Sequence, residues 1–165
     1  QEGTYPLPEA QLDRFLMNIK ISYPELGAER KILNLSNETS DTRPNNILTS
    51  KELLQIQTFI KEIPVGESVV QYILNIIKHS RPETSEVKSV RDNILWGPSP
   101  RASLALMTTC RAKAFLENRY SPSIFDVQSL VKPILSHRLK LNISAKSENI
   151  NIEEILDDVI DHIKN

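Results

Sequence analysis

The sequence predicts an all-α fold, a helical bundle preceded by a short helix and a single β-strand. Only 4 of the 165 residues are glycine, a composition that favours helices over glycine-rich β-turn architectures. Apolar residues between positions 152 and 163 recur at i, i+3, i+4, i+7, i+8 and i+11, the spacing of one helix face. Thr49 and Glu52 have the spacing of a capping box, and Ser123 and Asp126 are placed to cap another helix.

Prolines and the apolar spacing set the predicted helix bounds. Pro64 ends the helix that begins at Thr49, and Pro100 follows the cap of a helix that begins near Ser99. Pro133 lies inside the next helix and predicts a kink or an early end. The sequence reads as a polar linker over 80–92 and as a short extended run over 139–143. The predicted bundle helices are 25–35, 49–60, 67–79, 99–117, 123–135 and 152–163.

The first 22 residues predict a different kind of structure. Pro8 and Glu9 are placed in the first turn of a short helix. Residues 15–21 alternate partly between apolar and polar side chains and are bounded by Tyr23 and Pro24, which predicts a strand. Because a lone strand cannot satisfy its own ladder groups, we expect residues 1–22 to end an upstream domain and 23–165 to form a helical domain. On this interpretation the chain is the C-terminal part of a longer protein.

Charge and composition argue against a nucleic-acid partner. The net charge is −1, so the chain as a whole does not attract polyanions. Residues 78–140 carry 11 Lys and Arg against 5 Asp and Glu, whereas 147–165 carry six acidic residues and one Lys. Aromatic residues make up only 5% of the chain, so the basic stretch lacks the interleaved stacking side chains of a nucleic-acid surface. We expect the acidic last helix either to dock near the basic stretch or to face solvent.

The single cysteine and the absence of long apolar runs favour a reduced, cytoplasmic setting. No run approaches the roughly 18 apolar residues needed to span a membrane. Cys110 has no second cysteine to pair with, and its apolar neighbours predict a buried structural thiol.

The sequence holds no complete catalytic site. Its four glycines cannot form a phosphate-binding P-loop, and it has no Gly-x-Ser-x-Gly nucleophile elbow. His79, His137 and His162 lack ligand spacing, so we expect surface or interhelical roles for them and no metal site. This chain alone is therefore not expected to carry a catalytic cycle.

Two arginines have settings that suggest function. Arg14 follows a short helix, whose last carbonyls attract a cation, and an ion pair with a nearby acid is the structural alternative. Arg101 lies in the first turn of its helix, where a cation opposes the helix dipole by roughly 0.3–1 kcal/mol. An incoming anion would relieve that cost. Phosphate recognition and an interhelical salt bridge are both open for Arg101.

Two segments carry a resemblance to a known family. Residues 2–15 read EGTYPLPEAQLDRF, and residues 96–103 read WGPSPRAS. The first is similar to the segment that leaves the ATPase core in MoxR-type AAA+ ATPases, and the second resembles the sensor-2 motif that opens a helix of their lid. A weaker match runs from Arg119 through Asp126 and Val127 to 137–139. The resemblance implies that a remnant of an αβα ATPase core precedes a helical lid domain.

The resemblance also implies roles and partners. Arg14 would be the arginine finger that reaches ATP in a neighbouring subunit, and Arg101 would be the sensor-2 residue that contacts the ATP phosphates. ATP and Mg²⁺ would be bound by the full-length protein and not by this part alone. The protein would form a homo-oligomeric ring, a hexamer, that hydrolyses ATP and remodels client proteins together with a von Willebrand factor A domain protein.

Two other functions are open at this stage. A stand-alone, non-enzymatic helical adaptor would use Arg14 and Arg101 as ordinary ion-pair residues. A helix-turn-helix nucleic-acid binder would show an affinity that falls steeply with salt.

Overall fold

Helices account for most of the residues that the computed structural model describes, namely 7–35 and 47–164. A pair of very short strands completes the secondary structure within these ranges. The elements are α1 (Glu9–Leu12), α2 (Leu26–Leu35), α3 (Ser50–Glu62), α4 (Glu67–His79), α5 (Lys88–Asn93), β1 (Ile94–Trp96), α6 (Pro100–Leu116), α7 (Ile124–Leu135), β2 (Lys140–Leu141), α8 (Ile143–Ser147) and α9 (Ile152–Lys164). The predicted all-α bundle is confirmed.

The core lies among α4, α6, α7 and α9. Each of these helices presents an apolar stripe inward, and Ile76, Leu106, Ile134 and Leu156 are fully buried. Burying a side chain of this size stabilises a fold by about 1.5–3 kcal/mol. Helix α6 packs against α7 and α4, and α9 packs against α4, α5 and α7. The acidic last helix thus docks, and Lys132 of the basic stretch pairs with its Asp157 at 2.7 Å.

The predicted caps form as expected. The Thr49 hydroxyl accepts a hydrogen bond from the Glu52 backbone N–H at 3.3 Å, and the Glu52 carboxylate accepts one from the Thr49 N–H at 2.8 Å. Ser123 and Asp126 make the same reciprocal pair at the start of α7. Two donors at each helix start are satisfied in this way.

Helix α7 continues through Pro133 to Leu135, so the proline does not end it. The Pro133 carbonyl lies in the last turn, where helix carbonyls lack intrahelical partners. It accepts a hydrogen bond from the Asn18 backbone N–H at 2.8 Å. The segment that follows α1 therefore supports the end of α7.

The predicted strand over residues 15–21 is not formed. This segment is irregular and then extended, without strand pairing. Part of its backbone is satisfied by another route, since Arg138 donates to the carbonyls of Phe15 and Leu16, and Asn18 donates to the Pro133 carbonyl in α7. The helix predicted just before it, α1, is confirmed, and the domain division at residue 22 stays a prediction.

The predicted linker 80–92 and extended run 139–143 are more ordered than expected. The linker ends in α5, and β1 follows directly and pairs with β2 in an antiparallel ladder that matches Ile94 with Leu141. Helix α8 starts at Ile143. The reason is tertiary, because Val90 and Ile94 are buried although their segments are too short to show a period.

Candidate functional site

A cavity of about 460 Å³ lies where the N-terminal segment meets the start of α6. Three parts of the chain form its wall: the residues around α1, the β1–α6 turn, and the stretch between α7 and β2. The lining residues are Glu9, Ala10, Asp13, Arg14, Leu95, Trp96, Gly97, Ser99, Arg101, His137, Arg138, Leu139 and Lys140. Both arginines singled out from the sequence, Arg14 and Arg101, are in this wall.

Asp13 is the centre of the polar contacts at this cavity. Its carboxylate accepts hydrogen bonds from the Ser99 hydroxyl at 2.8 and 3.0 Å and from Arg101 Nη1 at 3.2 Å. Arg138 Nε lies 3.4 Å from Asp13 Oδ1. Burial alone would raise the pKa of Asp13, but the hydrogen bonds from Ser99 and Arg101 and the charge of Arg138 outweigh it and lower that pKa.

Arg101 is held by the first turn of α6. Pro100 begins the helix, and the Ser99 hydroxyl accepts a hydrogen bond from the Arg101 N–H at 3.2 Å. The guanidinium pairs with Asp13, yet the side chain is 60% exposed. Of the two alternatives open for Arg101, the salt bridge is therefore present, and it places a carboxylate beside a helix N-terminus, where the dipole favours a negative charge.

Arg14 lines the same cavity but is used differently. Its side chain is exposed, and no ion pair joins it to another residue within 7–35 or 47–164. The adjacent acid, Asp13, pairs with Arg101 and not with Arg14. The ion pair that the sequence offered as the structural alternative for Arg14 is therefore not formed with Asp13. Arg14 is thus an unpaired cation at the cavity wall within the described ranges.

Arg138 is a site residue to which sequence reasoning assigned no role. Its side chain is only 2% exposed, and it donates to the carbonyls of Asp13 and Leu16 at 3.2 Å each, and to those of Phe15 and Ile134. A buried guanidinium needs such partners because desolvation of a charge is costly. The signal that could have indicated Arg138 is its place in the segment 137–139, which is part of the weaker resemblance to the family.

The neighbouring His137 joins the same anchor. Its Nε2 lies 3.2 Å from the Phe15 carbonyl oxygen. Burial lowers the pKa of His137. Together, His137 and Arg138 fix the segment after α1 to the end of α7.

The turn that carries Ser99 and Arg101 is set by Gly97. A Cβ atom on this glycine would lie 2.7 Å from the Arg81 Cα and 2.8 Å from the Ser80 carbonyl oxygen, which is closer than atoms can approach. Arg81 Nε also donates to the Pro98 carbonyl at 2.9 Å. The end of α4 thereby fixes the path of the chain into α6.

Three residues considered in the sequence, Cys110, His79 and His162, lie outside this cavity. Cys110 is fully buried, as predicted, and burial raises the pKa of its thiol to about 11. His79 and His162 have the expected interhelical role, because their rings meet edge to face with centroids 4.9 Å apart. This contact joins the end of α4 to α9.

Within 7–35 and 47–164, no group of three or more His, Cys, Asp or Glu side chains is arranged to hold a metal ion. Among the same residues, no helix combines the length and apolarity that a membrane crossing requires.

Comparison with known proteins gives the class of the fold. Residues 88–159 match the family described as the AAA lid domain, a range that includes Arg101 and Arg138 but not Arg14. A crystallised protein from Cytophaga hutchinsonii, described as a candidate ATPase, superposes with a TM-score of 0.91 at 33% sequence identity over 97% of this chain and 49% of that one. The helical bundle is therefore an AAA lid domain.

Curated relatives give the family. The chain is 33% identical over 160 residues to Chaperone MoxR1 of Mycobacterium tuberculosis, covering 96% of this chain and 42% of that protein. It is 32% identical over 164 residues to the protein YeaC of Bacillus subtilis, covering 99% of this chain and 49% of that protein. The chain thus spans about half the length of these relatives or less. It belongs to the MoxR-type AAA+ ATPases and corresponds to their C-terminal, lid-bearing part.

Proposed function

We propose that the cavity beside α6 binds the phosphate end of ATP, and that this chain senses and completes ATP hydrolysis in a MoxR-type ATPase. The observation that carries the proposal is that Arg14 and Arg101 line one cavity at the N-terminus of a 17-residue helix. Guanidinium groups and a helix N-terminus both favour phosphate. In this role Arg101 is the sensor-2 residue.

The residues present fit a polyphosphate. The Arg101 side chain is more than half exposed, so a ligand can reach it, and Arg14 adds positive charge to the same wall. Lys140 also lines the wall, where it pairs with Glu9. When bound, ATP supplies the phosphoryl group that is transferred to water, and Mg²⁺ accompanies it. The described residues offer no cluster of metal ligands, so we assign no step to Mg²⁺ here.

Arg14 is proposed as the arginine finger that acts on the nucleotide of a neighbouring subunit. It has no ion pair within the described residues, so it is available to an external anion. A guanidinium supplied in trans raises phosphoryl-transfer rates by roughly 10³–10⁵. Because Arg14 and Arg101 line one cavity, contact of both with a single nucleotide is the competing arrangement.

The wider proposal concerns the whole protein. It forms a homo-oligomeric ring, a hexamer, in the cytoplasm and couples ATP hydrolysis to remodelling of client proteins with a von Willebrand factor A domain partner. The relative named Chaperone MoxR1 supports the chaperone-like part of this proposal.

The test uses the full-length protein that contains this chain. Arg101→Ala should weaken ATP affinity or hydrolysis, and Arg14→Ala should leave affinity nearly normal while hydrolysis collapses. Arg30→Ala, an exposed arginine of α2, is the matched control and should change neither. Unchanged turnover in Arg14→Ala would remove the finger role, and no effect of Arg101→Ala would leave Arg101 as a salt-bridge residue.

A mixing experiment separates action in trans from action on one nucleotide. Arg14→Ala subunits are mixed with subunits that carry Arg14 but cannot bind ATP. If Arg14 acts on the neighbouring subunit, mixed rings recover hydrolysis that neither variant shows alone. If mixing restores no activity, both arginines act on the same nucleotide.

A second candidate, the non-enzymatic adaptor, is favoured by one observation. A second cavity of about 510 Å³ is lined by Phe59, Phe115 and Tyr120 among others, and Tyr120 is 92% exposed. Exposed aromatic side chains are typical of protein interfaces. For an adaptor, Tyr120→Ser would abolish partner binding while Arg14→Ala and Arg101→Ala leave it intact.

A further inference from the structure

We infer that Asp13 is a positioning residue that holds Arg101 when no nucleotide is bound and releases it to a phosphate when one arrives. The inference rests on the proposed function, because it concerns the same cavity. It goes further by assigning a role to a residue that neither the family match nor the sequence motifs had given one.

The contacts of Asp13 are those of a bound anion. Its carboxylate accepts hydrogen bonds from the Ser99 hydroxyl and from Arg101 at the N-terminus of α6. Arg138 Nε lies 3.4 Å from Asp13 Oδ1. A hydroxyl, a guanidinium and a helix N-terminus are also the groups that bind phosphate. Asp13 therefore occupies the position that a phosphate would compete for.

Arg138 makes the exchange feasible. A carboxylate left without a partner in a partly buried position would be costly. Asp13 keeps the Arg138 guanidinium after Arg101 leaves, and Arg138 is fixed by the carbonyls of Asp13, Leu16 and Ile134. Only Arg101, which is 60% exposed, has to move.

The position of Asp13 in the chain gives the exchange a further consequence. Asp13 directly precedes Arg14, which lines the same cavity. A change in the contacts of Asp13 therefore shifts the adjacent residue, Arg14, which is the proposed arginine finger. Asp13 thus connects the residue that senses a nucleotide with the residue that completes hydrolysis.

The test measures binding of inorganic tripolyphosphate to the full-length protein that contains this chain, by titration calorimetry. Asp13→Asn keeps the shape of the side chain but removes the charge that competes for Arg101. We expect it to bind tripolyphosphate about tenfold more tightly than the wild type, the scale of one charged hydrogen bond. The gain should vanish in the double variant Asp13→Asn with Arg101→Gln. Asp158→Asn, an exposed acid of α9 with the same change in charge, is the control and should tighten binding by less than about twofold.

The outcomes separate the inference from the proposed function. If the wild type binds through Arg101 but Asp13→Asn does not tighten binding, the exchange is wrong and the phosphate site stands. If neither the wild type nor Asp13→Asn binds tripolyphosphate, both are wrong. A gain that persists in the double variant also overturns the exchange, because Arg101 is then not the group released.

A spectroscopic measurement covers the case in which Asp13→Asn folds poorly. In the wild type, the ¹³C signal of the Asp13 carboxylate and the Nε–H signal of Arg101 should shift together as tripolyphosphate is added. A shift of the Arg101 signal with an unchanged Asp13 signal would contradict the exchange.

Discussion

Arg119 and Asp126 form a two-point ion pair, with Nη1 2.8 Å from Oδ2 and Nη2 2.7 Å from Oδ1. The same carboxylate accepts a hydrogen bond from the Ser123 N–H at 2.7 Å, and its side chain is only 4% exposed. Asp126 therefore joins the α6–α7 loop to the start of α7. Two planar groups that meet at two points also fix the orientation of the loop.

This pair predicts a loss of stability in acid. Burial would raise the pKa of Asp126, but hydrogen bonds from Arg119 and Ser123 outweigh it and lower that pKa from 3.8 to about 2. A carboxylate with a lowered folded pKa stabilises the fold above its unfolded pKa and loses that effect as the pH falls through its folded pKa. The unfolding free energy should drop by on the order of 2 kcal/mol between about pH 4 and pH 2. Denaturant titrations followed by circular dichroism should show this drop, and Asp126→Asn should lack it.

Glu117→Gln is the matched control for this prediction. Glu117 bonds to the same Arg119, but its side chain is 50% exposed, and exposed pairs contribute about 0.2–1 kcal/mol. An acid-dependent loss of equal size for both carboxylates would show that burial does not decide the effect.

Gly97→Ala should destabilise the fold and disturb the approach to Arg101. The added Cβ would meet the backbone of Ser80 and Arg81, which cannot rotate away as a side-chain tip can. Overpacking of this kind costs about 1–3 kcal/mol. Gly27→Ala, where nothing lies within 4 Å of the new Cβ, should be neutral or slightly stabilising. Thermal melts of the two variants give the comparison, and equal melting temperatures would contradict the steric argument.

Cys110 should be inert in the native state. With its pKa raised to about 11, only about 0.1% of the thiol is ionised at pH 8, and the side chain is fully buried. Ellman's reagent should therefore count no thiol in the native chain and one after denaturation. Leu116→Cys places a thiol at a position that is 78% exposed in the wild type and should add one fast-reacting group. Rapid labelling of native Cys110 would show that α6 opens.

Arg138→Lys should release the segment after α1. A lysine keeps the charge but carries its donors on a single nitrogen in place of the planar guanidinium with donors on three nitrogens. It therefore cannot reach the Asp13, Phe15 and Leu16 carbonyls together, and bonds to them are lost. We expect amide hydrogen exchange over residues 13–20 to rise at least about tenfold, because those amides then exchange through local opening. Lys132→Gln, which breaks a surface pair with Asp157, should leave that segment unchanged. Equal exchange in both variants would contradict the anchor.

Helices with a local capping residue and a regular spacing of apolar residues could be predicted from the sequence. Helix α4 has the predicted bounds, and the caps at Thr49, Ser99 and Ser123 form because their partners lie within three residues. The short elements could not be predicted in this way. Strands β1 and β2 hold each other across more than forty residues, and a local pattern carries no trace of such a partner.

The candidate site shows the same difference between local features, which could be predicted, and contacts between distant parts of the chain, which could not. The sequence motifs indicate Arg14 and Arg101 as site residues, and for Arg101 they leave both an anion and a salt bridge open. That Asp13 supplies this salt bridge is a contact between residues 88 positions apart. Arg138 could not be predicted from local patterns either, since most of its partners are backbone carbonyls, which every residue has, and its carboxylate partner, Asp13, lies 125 positions away. The strand predicted over 15–21 was wrong because alternation of side chains does not show whether a neighbouring strand exists.

The anchor between Arg138 and the carbonyl of Asp13 joins residues 125 positions apart, and this spacing has a consequence for biosynthesis. A ribosome adds roughly 5–20 residues per second, so Asp13 is added to the chain some 6–25 seconds before Arg138. During that interval Phe15 and Leu16 lack the guanidinium that later binds their backbone carbonyls. The cavity can thus be assembled only late in translation, and a nascent chain that stalls before Arg138 has Arg14 and Arg101 but not the wall that brings them together.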